Sequence, residues 1–204
     1  MIDIIQAAGW PIWPIILCSI IALGIIGERA WSLRQSVVAP KDLLSKVVQE
    51  FQQNGVTPDM LTRLAGDSPL GRIFAAGLRN VKSSREVMKE SIEESGRGVS
   101  SELDRFLTTL GTISTMAPLL GLLGTIIGMI EIFGAQTGGS GIANPQQLAH
   151  GISVALYNAA FGIIVAVPAL IFYRFYRAKV DALVVEMEQQ AIKLVEVVHG
   201  ERQV

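Results

Sequence analysis

Residues 106–130 read FLTTLGTISTMAPLLGLLGTIIGMI, a run without a charged side chain, bracketed by Asp104-Arg105 on one side and Glu131 on the other. A helix needs about 20 predominantly apolar residues to cross the hydrocarbon layer of a bilayer, so the run reads as a spanning helix. Its surface is wrong for lipid. Gly111, Gly121, Gly124, Gly128, Pro118 and several Thr and Ser hydroxyls stand where leucines would coat a lipid-facing helix. At about 100° per residue, Ser114, Pro118, Gly121, Thr125 and Gly128 fall on one stripe, with Gly111 at its edge. Small residues let helices in lipid approach closely. The stripe therefore faces protein or a pore, and the residues alone leave two readings open: a packing seam, or the hydroxyl-lined wall of an ion path.

Working outward, residues 151–173 (GISVALYNAAFGIIVAVPALIFY) form a second uncharged run, closed by Arg174 and Arg177. Gly151, Ala155, Asn158, Gly162, Ala166 and Ala169 share one helical face. An amide in hydrocarbon needs partners, so Asn158 is expected to point into the bundle, as a helix clamp or as a polar step beside a water path. A further span covers residues 7–31. It is uncharged as far as Gly27, with Trp10 and Trp13 at one interface and Trp31 at the other, as in aromatic belts. Residues 1–6 contain Asp3 and no Lys or Arg, unlike the basic start of a cleaved signal peptide, so this first run is expected to stay as an anchor.

Half of the 204 residues are hydrophobic and the mean hydropathy is +0.44, as in a membrane protein. A net charge of −1 gives no basic footprint for nucleic acid, so no nucleic-acid partner is expected. The 17 Lys and Arg are confined to residues 29–105 and 174–202. By the positive-inside rule these two blocks are cytoplasmic, which puts the N-terminus (residues 1–6) and the 131–150 loop outside. Cys18 is alone, and His150 and His199 have no partners at ligand spacing, so neither a disulfide framework nor a metal site is expected. There is no Walker loop, dinucleotide fingerprint or nucleophile elbow, which argues against an enzyme and against a cofactor.

Residues 32–105 read as soluble helices. Leu43, Val47, Val48 and Phe51 repeat at helical spacing up to Asn54-Gly55, Pro58 begins a short helix, and Ser68-Pro69 opens a longer one. A polar helix from Ser84 to Asp104 is expected to run unbroken into the span at 106–130. Its charges, from Arg85 to Arg97, read first as a solvated face and otherwise as a docking surface or a charged vestibule. The 131–150 loop holds Gly138-Gly139-Ser140-Gly141 and Asn144-Pro145 as breakers. Glu131 is either an interfacial acid or a cation-attracting residue at a pore mouth. Beyond residue 173, Val180, Leu183, Val184, Met187, Ala191, Leu194 and Val198 approximate a heptad seam. The third span and residues 174–204 are thus expected to form one helix of about 50 residues. The expected fold is an all-α integral membrane protein with three spans, N-terminus out and C-terminus in, whose helices extend into a cytoplasmic helical bundle.

Three stretches carry a family likeness: TMAPLLGLLGTIIGMIEIF (residues 115–133), ISVALYNAAFGIIVAVPALIFY (152–173) and WPIILCSIIALGIIGERAWSLR (13–34). They resemble the MotA/TolQ/ExbB family of proton-channel subunits, and the three-span layout is most similar to its ExbB branch. The resemblance implies a multi-pass subunit of the bacterial inner membrane. It implies a homo-oligomer, a pentamer, around single-span ExbD-like helices, using the proton gradient to energise a TonB-like protein and so uptake through outer-membrane receptors. Thr125 matches the pore threonine of the second-span motif. Pro118, Gly121, Gly124 and Gly128 match its small packing positions, and Pro168 matches the proline of the third-span motif. On this reading Thr125, Asn158, Ser114 and Ala159 belong to the ion path, while Pro118, Gly121, Gly124, Gly128, Gly162 and Pro168 pack helices.

Two positions depart from the family pattern. An acid is usual where Val154 stands, and many members carry a threonine where Ala159 stands. The three spans hold no Asp, Glu, Lys, Arg or His in their hydrocarbon region, yet protons cross membranes on titratable groups or water chains. The titrating group is therefore expected from a partner helix. The competing readings are a TolQ-like subunit for envelope maintenance and a non-conducting membrane scaffold whose small-residue seams only hold an oligomer together.

Overall fold

The computed structural model describes residues 8–137 and 145–200, and no strand occurs among them. Helix α1 covers Ile12–Ser32 and is followed by a single turn, α2, at Gln35–Val38. Helices α3 (Leu43–Asn54), α4 (Pro58–Asp67), α5 (Pro69–Arg79) and α6 (Arg85–Asp104) follow, and then the long helices α7 (Leu107–Thr137) and α8 (Pro145–Val198). Three helical stretches are long and apolar enough to cross a membrane: Ile12–Ser32, Arg85–Gly134 and Leu148–Val198.

The chain divides into two compact units. One consists of Met1–Gly27 with Phe106–Phe175, the other of Glu28–Arg105 with Tyr176–Val204. Helix α8 contributes to both, because its 54 residues include no stop signal between the apolar run and the heptad-like tail. Pro168 lies inside it, as Pro118 does inside α7.

In the apolar unit, α1 starts after a turn in which Gly9 takes φ 73°, a conformation that costs glycine little. Pro14 falls in the first turn of α1, where its missing N–H costs nothing because those N–H groups have no acceptor within the helix. Ile12, Ile15 and Ala22 turn inward, while Leu17, Ile20 and Leu23 are exposed. The same division marks α7, where Leu110, Ile113, Ala117 and Ile132 are buried and Leu119, Leu122 and Ile126 are exposed. Apolar outward faces of this extent suit lipid or a neighbouring chain.

In the other unit, short helices begin at side-chain caps. The Met60 N–H donates to the Thr57 hydroxyl oxygen at 3.3 Å, and the Gly71 N–H to that of Ser68 at 3.1 Å, each with a proline next in sequence. Gly55, at φ 67°, ends α3 and donates to the Phe51 carbonyl. Ser84 caps α6 through the Val87 N–H, and a backbone hydrogen bond, seconded by the Ser84 hydroxyl, holds the exposed Glu86 carboxyl below the usual carboxylate range. Phe74, Leu78, Met60, Met88, Met187 and Leu194 form the buried core. Gly77 lets α5 and α6 approach, since a Cβ there would lie 2.8 Å from the Ile92 side chain.

Two expectations change. α6 does not run unbroken into α7: it ends at Asp104, and the Arg105 N–H turns to the Glu102 carbonyl at 3.3 Å instead of the residue four back. A tightened turn of this kind leaves carbonyls of the last turn open. Arg29, only 5% exposed, supplies one of them, its Nη1 donating to the Leu103 carbonyl at 3.1 Å. The second change concerns residues 131–150. Glu131 and His150 lie within helices, because α7 continues to Thr137 and α8 starts at Pro145. A charged residue does not stop a helix, and Ile132 keeps the inward face going by packing against Gly151. The breakers Gly138 to Asn144, like residues 1–7, lie outside the described residues.

Candidate functional site

The small-residue faces of α7 and α8 meet along one crossing in the apolar unit. A Cβ on Gly162 would stand 2.7 Å from the Ala117 carbonyl oxygen and 3.1 Å from the Gly121 Cα. A Cβ on Gly121 would stand 2.8 Å from the Asn158 carbonyl oxygen and 3.3 Å from the Ala159 Cα. Further along, one on Gly128 would meet the Gly151 carbonyl at 3.1 Å and the Ala155 nitrogen at 3.2 Å. These neighbours are backbone atoms. The two helices touch main chain to main chain, the arrangement that dispersion and Cα–H···O contacts favour where lipid removes the hydrophobic drive. At the other end of the seam Gly111 lies under the Tyr173 ring, 3.1 Å from where its Cβ would be.

Asn158 is fully buried in the seam. Its Nδ2 donates to the Ala8 carbonyl at 2.8 Å and to the Val154 carbonyl at 2.9 Å, while its Oδ1 has no hydrogen-bond partner. Gly124 makes room for it, since a Cβ there would be 2.5 Å from the Asn158 Cβ. Both amide hydrogens are thus used within the chain. Asn158 staples α8 to the turn that precedes α1, a partner 150 residues away in sequence. Val154 is 5% exposed and presents an isopropyl group to the inside of the unit.

Of the four residues assigned to an ion path, the structure brings three to the seam. Ser114 is buried and donates to the Gly111 carbonyl at 2.7 Å, Asn158 is buried, and Ala159 is half-buried beside Gly121. Thr125 stands at the outer edge instead. It is partly exposed, its hydroxyl donates to the Leu122 carbonyl at 2.6 Å, and it borders an open apolar groove with Ile126, Met129, Ile130 and Phe133. Its hydrogen is taken by the helix, but the oxygen lone pairs remain free to accept. Among the residues assigned to packing, Gly121, Gly124, Gly128 and Gly162 lie in the seam, Pro118 is half-buried at its margin, and Pro168 is exposed. Glu131 is exposed on the last turns of α7.

Two features of the structure went unread in the sequence. The Ala8 carbonyl offers nothing in sequence to mark it as an acceptor. Arg29 is the first basic residue of the sequence, after Glu28 at the end of an uncharged run, and only its position against Leu103 and Glu28 (Nε to Oε2, 2.8 Å) reveals a buried guanidinium. Across the charge-free runs at 106–130 and 151–173 the polar side chains are hydroxyls and one amide, with no Asp, Glu, Lys, Arg or His. Among the described residues no cluster of three or more His, Cys, Asp or Glu is placed to hold a metal ion.

Three apolar helices long enough to cross a bilayer, two of them joined by a glycine seam, define a helical membrane protein. Residues 65–189 match the model of the MotA/TolQ/ExbB proton channel family, and the chain belongs to that family. It is 32% identical to the biopolymer transport protein exbB1 of Vibrio cholerae over 81% of this chain and 74% of that protein. It is 32% identical to the biopolymer transport protein ExbB of Aquifex aeolicus over 63% of this chain and 80% of that one. The Tol-Pal system protein TolQ of Pseudomonas aeruginosa is 30% identical over 80% of this chain and 68% of its own length. The family is one of proton channels.

Proposed function

We propose that this chain is the ExbB-type subunit of a proton-driven motor in the bacterial inner membrane. It works as a homo-oligomer, a pentamer, around an ExbD-like single-span partner, and energises a TonB-like protein. The observation that carries the proposal is the chemistry of the seam: hydroxyls, one amide whose hydrogens are used internally, and no Asp, Glu, Lys, Arg or His in either charge-free run. Such a subunit encloses and positions. The group that takes and releases the proton comes from the partner, a carboxyl whose O–H, when protonated, donates to the free lone pairs of Thr125. One proton moved through 100 mV releases about 2.3 kcal/mol, enough to bias two arrangements of the partner by roughly fiftyfold. The confinement of Lys and Arg to residues 29–105 and 174–202 supports an external N-terminus and a cytoplasmic second unit. Glu131 then sits at the outer mouth.

Proton flux into liposomes that hold this chain with its single-span partner tests the proposal. Flux is expected only with the partner, to fall with Thr125→Ala at unchanged native mass, and to rise with Ala159→Thr, which adds a hydroxyl in the seam. An intact complex through which no variant conducts refutes conduction and leaves a scaffold that only holds an oligomer together. Similarity to TolQ at a level close to that of the ExbB relatives supports a second reading, a subunit for envelope maintenance. Complementation of a strain lacking one system or the other separates the two.

A further inference from the structure

In the second unit, α6 and the end of α8 do not close on each other. Between them lies a cleft of about 610 Å³. Its floor is apolar, with Ile92, Met187 and Val195, and its rim is charged, with Lys89, Glu93 and Arg97 on the α6 wall and Glu188 on the α8 wall. Gly96 of α6 opens into it. A glycine in the middle of a helix costs about 1 kcal/mol relative to alanine, and glycine there is justified when another backbone approaches. Within this chain nothing approaches: a Cβ on Gly96 would meet no atom within 4 Å.

The same unit leaves a complementary helix face without a partner. On α8, Ala178, Ala182, Val185 and Gln189 are exposed and recur at spacings of four, three and four residues, the a/d pattern of a coiled-coil seam. The buried stripe of this segment, Tyr176, Val180, Leu183 and Met187, lies on the other side of the helix. Two small residues, one β-branched residue and one amide form a narrow ridge. Asp181 flanks it on one side and Lys193 on the other.

We propose that the cleft receives this ridge from the α8 helix of a second copy of the same chain. Ridge and cleft fit in shape, small residues and Val185 entering opposite Gly96. They also fit in charge, because Asp181 faces the α6 wall, where Lys89 and Arg97 outnumber Glu93, while Lys193 faces the wall bearing Glu188. The α8 residues that line the cleft and those that form the ridge are centred about 120° apart around the helix. Contact faces that differ make a head-to-tail interface, which forms a ring when the rotation between successive copies closes. The proposal rests on the reading above that the chain works as a homo-oligomer, and it assigns the surfaces by which copies meet outside the apolar unit.

The test uses full-length chains in membranes, with Cys18→Ser throughout. Two differently tagged copies are co-expressed, one carrying Gly96→Cys and the other Val185→Cys, and are joined with a short bifunctional thiol reagent. A cross-linked product bearing both tags is expected, and cells expressing either single variant with a cysteine-free copy should give none. Gly96→Trp, which fills the cleft, should lower the native mass, whereas Gly98→Trp, on the exposed side of the same helix, should leave it unchanged and so control for folding. An oligomer that is intact by native mass but yields no mixed cross-link, or that tolerates Gly96→Trp as it does Gly98→Trp, overturns the cleft assignment and leaves the homo-oligomer standing. A native mass of one copy for the unsubstituted chain overturns both.

Discussion

Replacing Gly162 by alanine tests whether α7 and α8 really touch backbone to backbone. The new Cβ would lie 2.7 Å from the Ala117 carbonyl oxygen, about 0.6 Å inside the roughly 3.3 Å at which carbon and carbonyl oxygen normally meet. The obstacle is main chain within a helix, so relief requires shifting α7 as a body and loosening the contacts at Gly121 and Gly128 with it. Forcing a methyl into a packed site costs about 1–3 kcal/mol. Against this, alanine gains about 0.8–1.0 kcal/mol over glycine in a helix, and that gain blurs the result for Gly162 alone. Gly134 supplies the reference, since it lies on α7, the other helix of the seam, and a Cβ there meets nothing within 4 Å. Taking the difference between Gly162→Ala and Gly134→Ala cancels the propensity gain and leaves the overpacking cost. The expected difference is about 1–3 kcal/mol, roughly 5- to 150-fold in the unfolding equilibrium. Unfolding of the full-length protein in mixed micelles with rising dodecyl sulfate, followed by helical circular dichroism, measures it. Equal midpoints for the two variants, or a more stable Gly162→Ala, would refute the close crossing.

Other substitutions probe the remaining contacts. Asn158→Leu should cost about 1–3 kcal/mol in the same unfolding assay, because it strands the buried Ala8 carbonyl, and it should speed proteolysis of the segment before α1. Arg29→Met should destabilise more than Arg177→Met. Arg29 is buried and its charged hydrogen bond to the Leu103 carbonyl is worth about 1.5–3 kcal/mol, while the part-exposed Arg177–Asp104 pair at 2.7 Å is worth about 0.2–1 kcal/mol. Similar losses for the two would mean that the Leu103 carbonyl does not depend on Arg29. The lowered pKa of Glu86 makes a stabilising contribution that is present above the unfolded carboxylate pKa and is lost as pH falls through the folded value. An NMR titration of Glu86 should move back toward the ordinary range on Ser84→Ala.

The sequence by itself determined what depends on neighbours along the chain. Three charge-free runs had to be helices compatible with a bilayer, because an unsatisfied backbone cannot sit in hydrocarbon. Thr57-Pro58, Ser68-Pro69 and Ser84 marked helix starts, because a cap and its acceptor lie within a few residues of each other. The six-residue face of α8 from Gly151 to Ala169 is buried throughout, as its periodicity indicated. Only the tertiary structure decided how those faces mesh. On α7 the buried stripe is turned from the small-residue stripe, so Ser114, Gly121 and Gly128 go inward and Thr125 is left at the rim. That rotation depends on which turn of α8 sits at the crossing, a relation between residues about 40 apart that periodicity within one helix does not contain. The partners of Asn158 and Arg29, 150 and 74 residues away, were hidden for the same reason. A hydrogen bond to a backbone carbonyl leaves no mark on the sequence at the accepting end, since every residue carries that carbonyl.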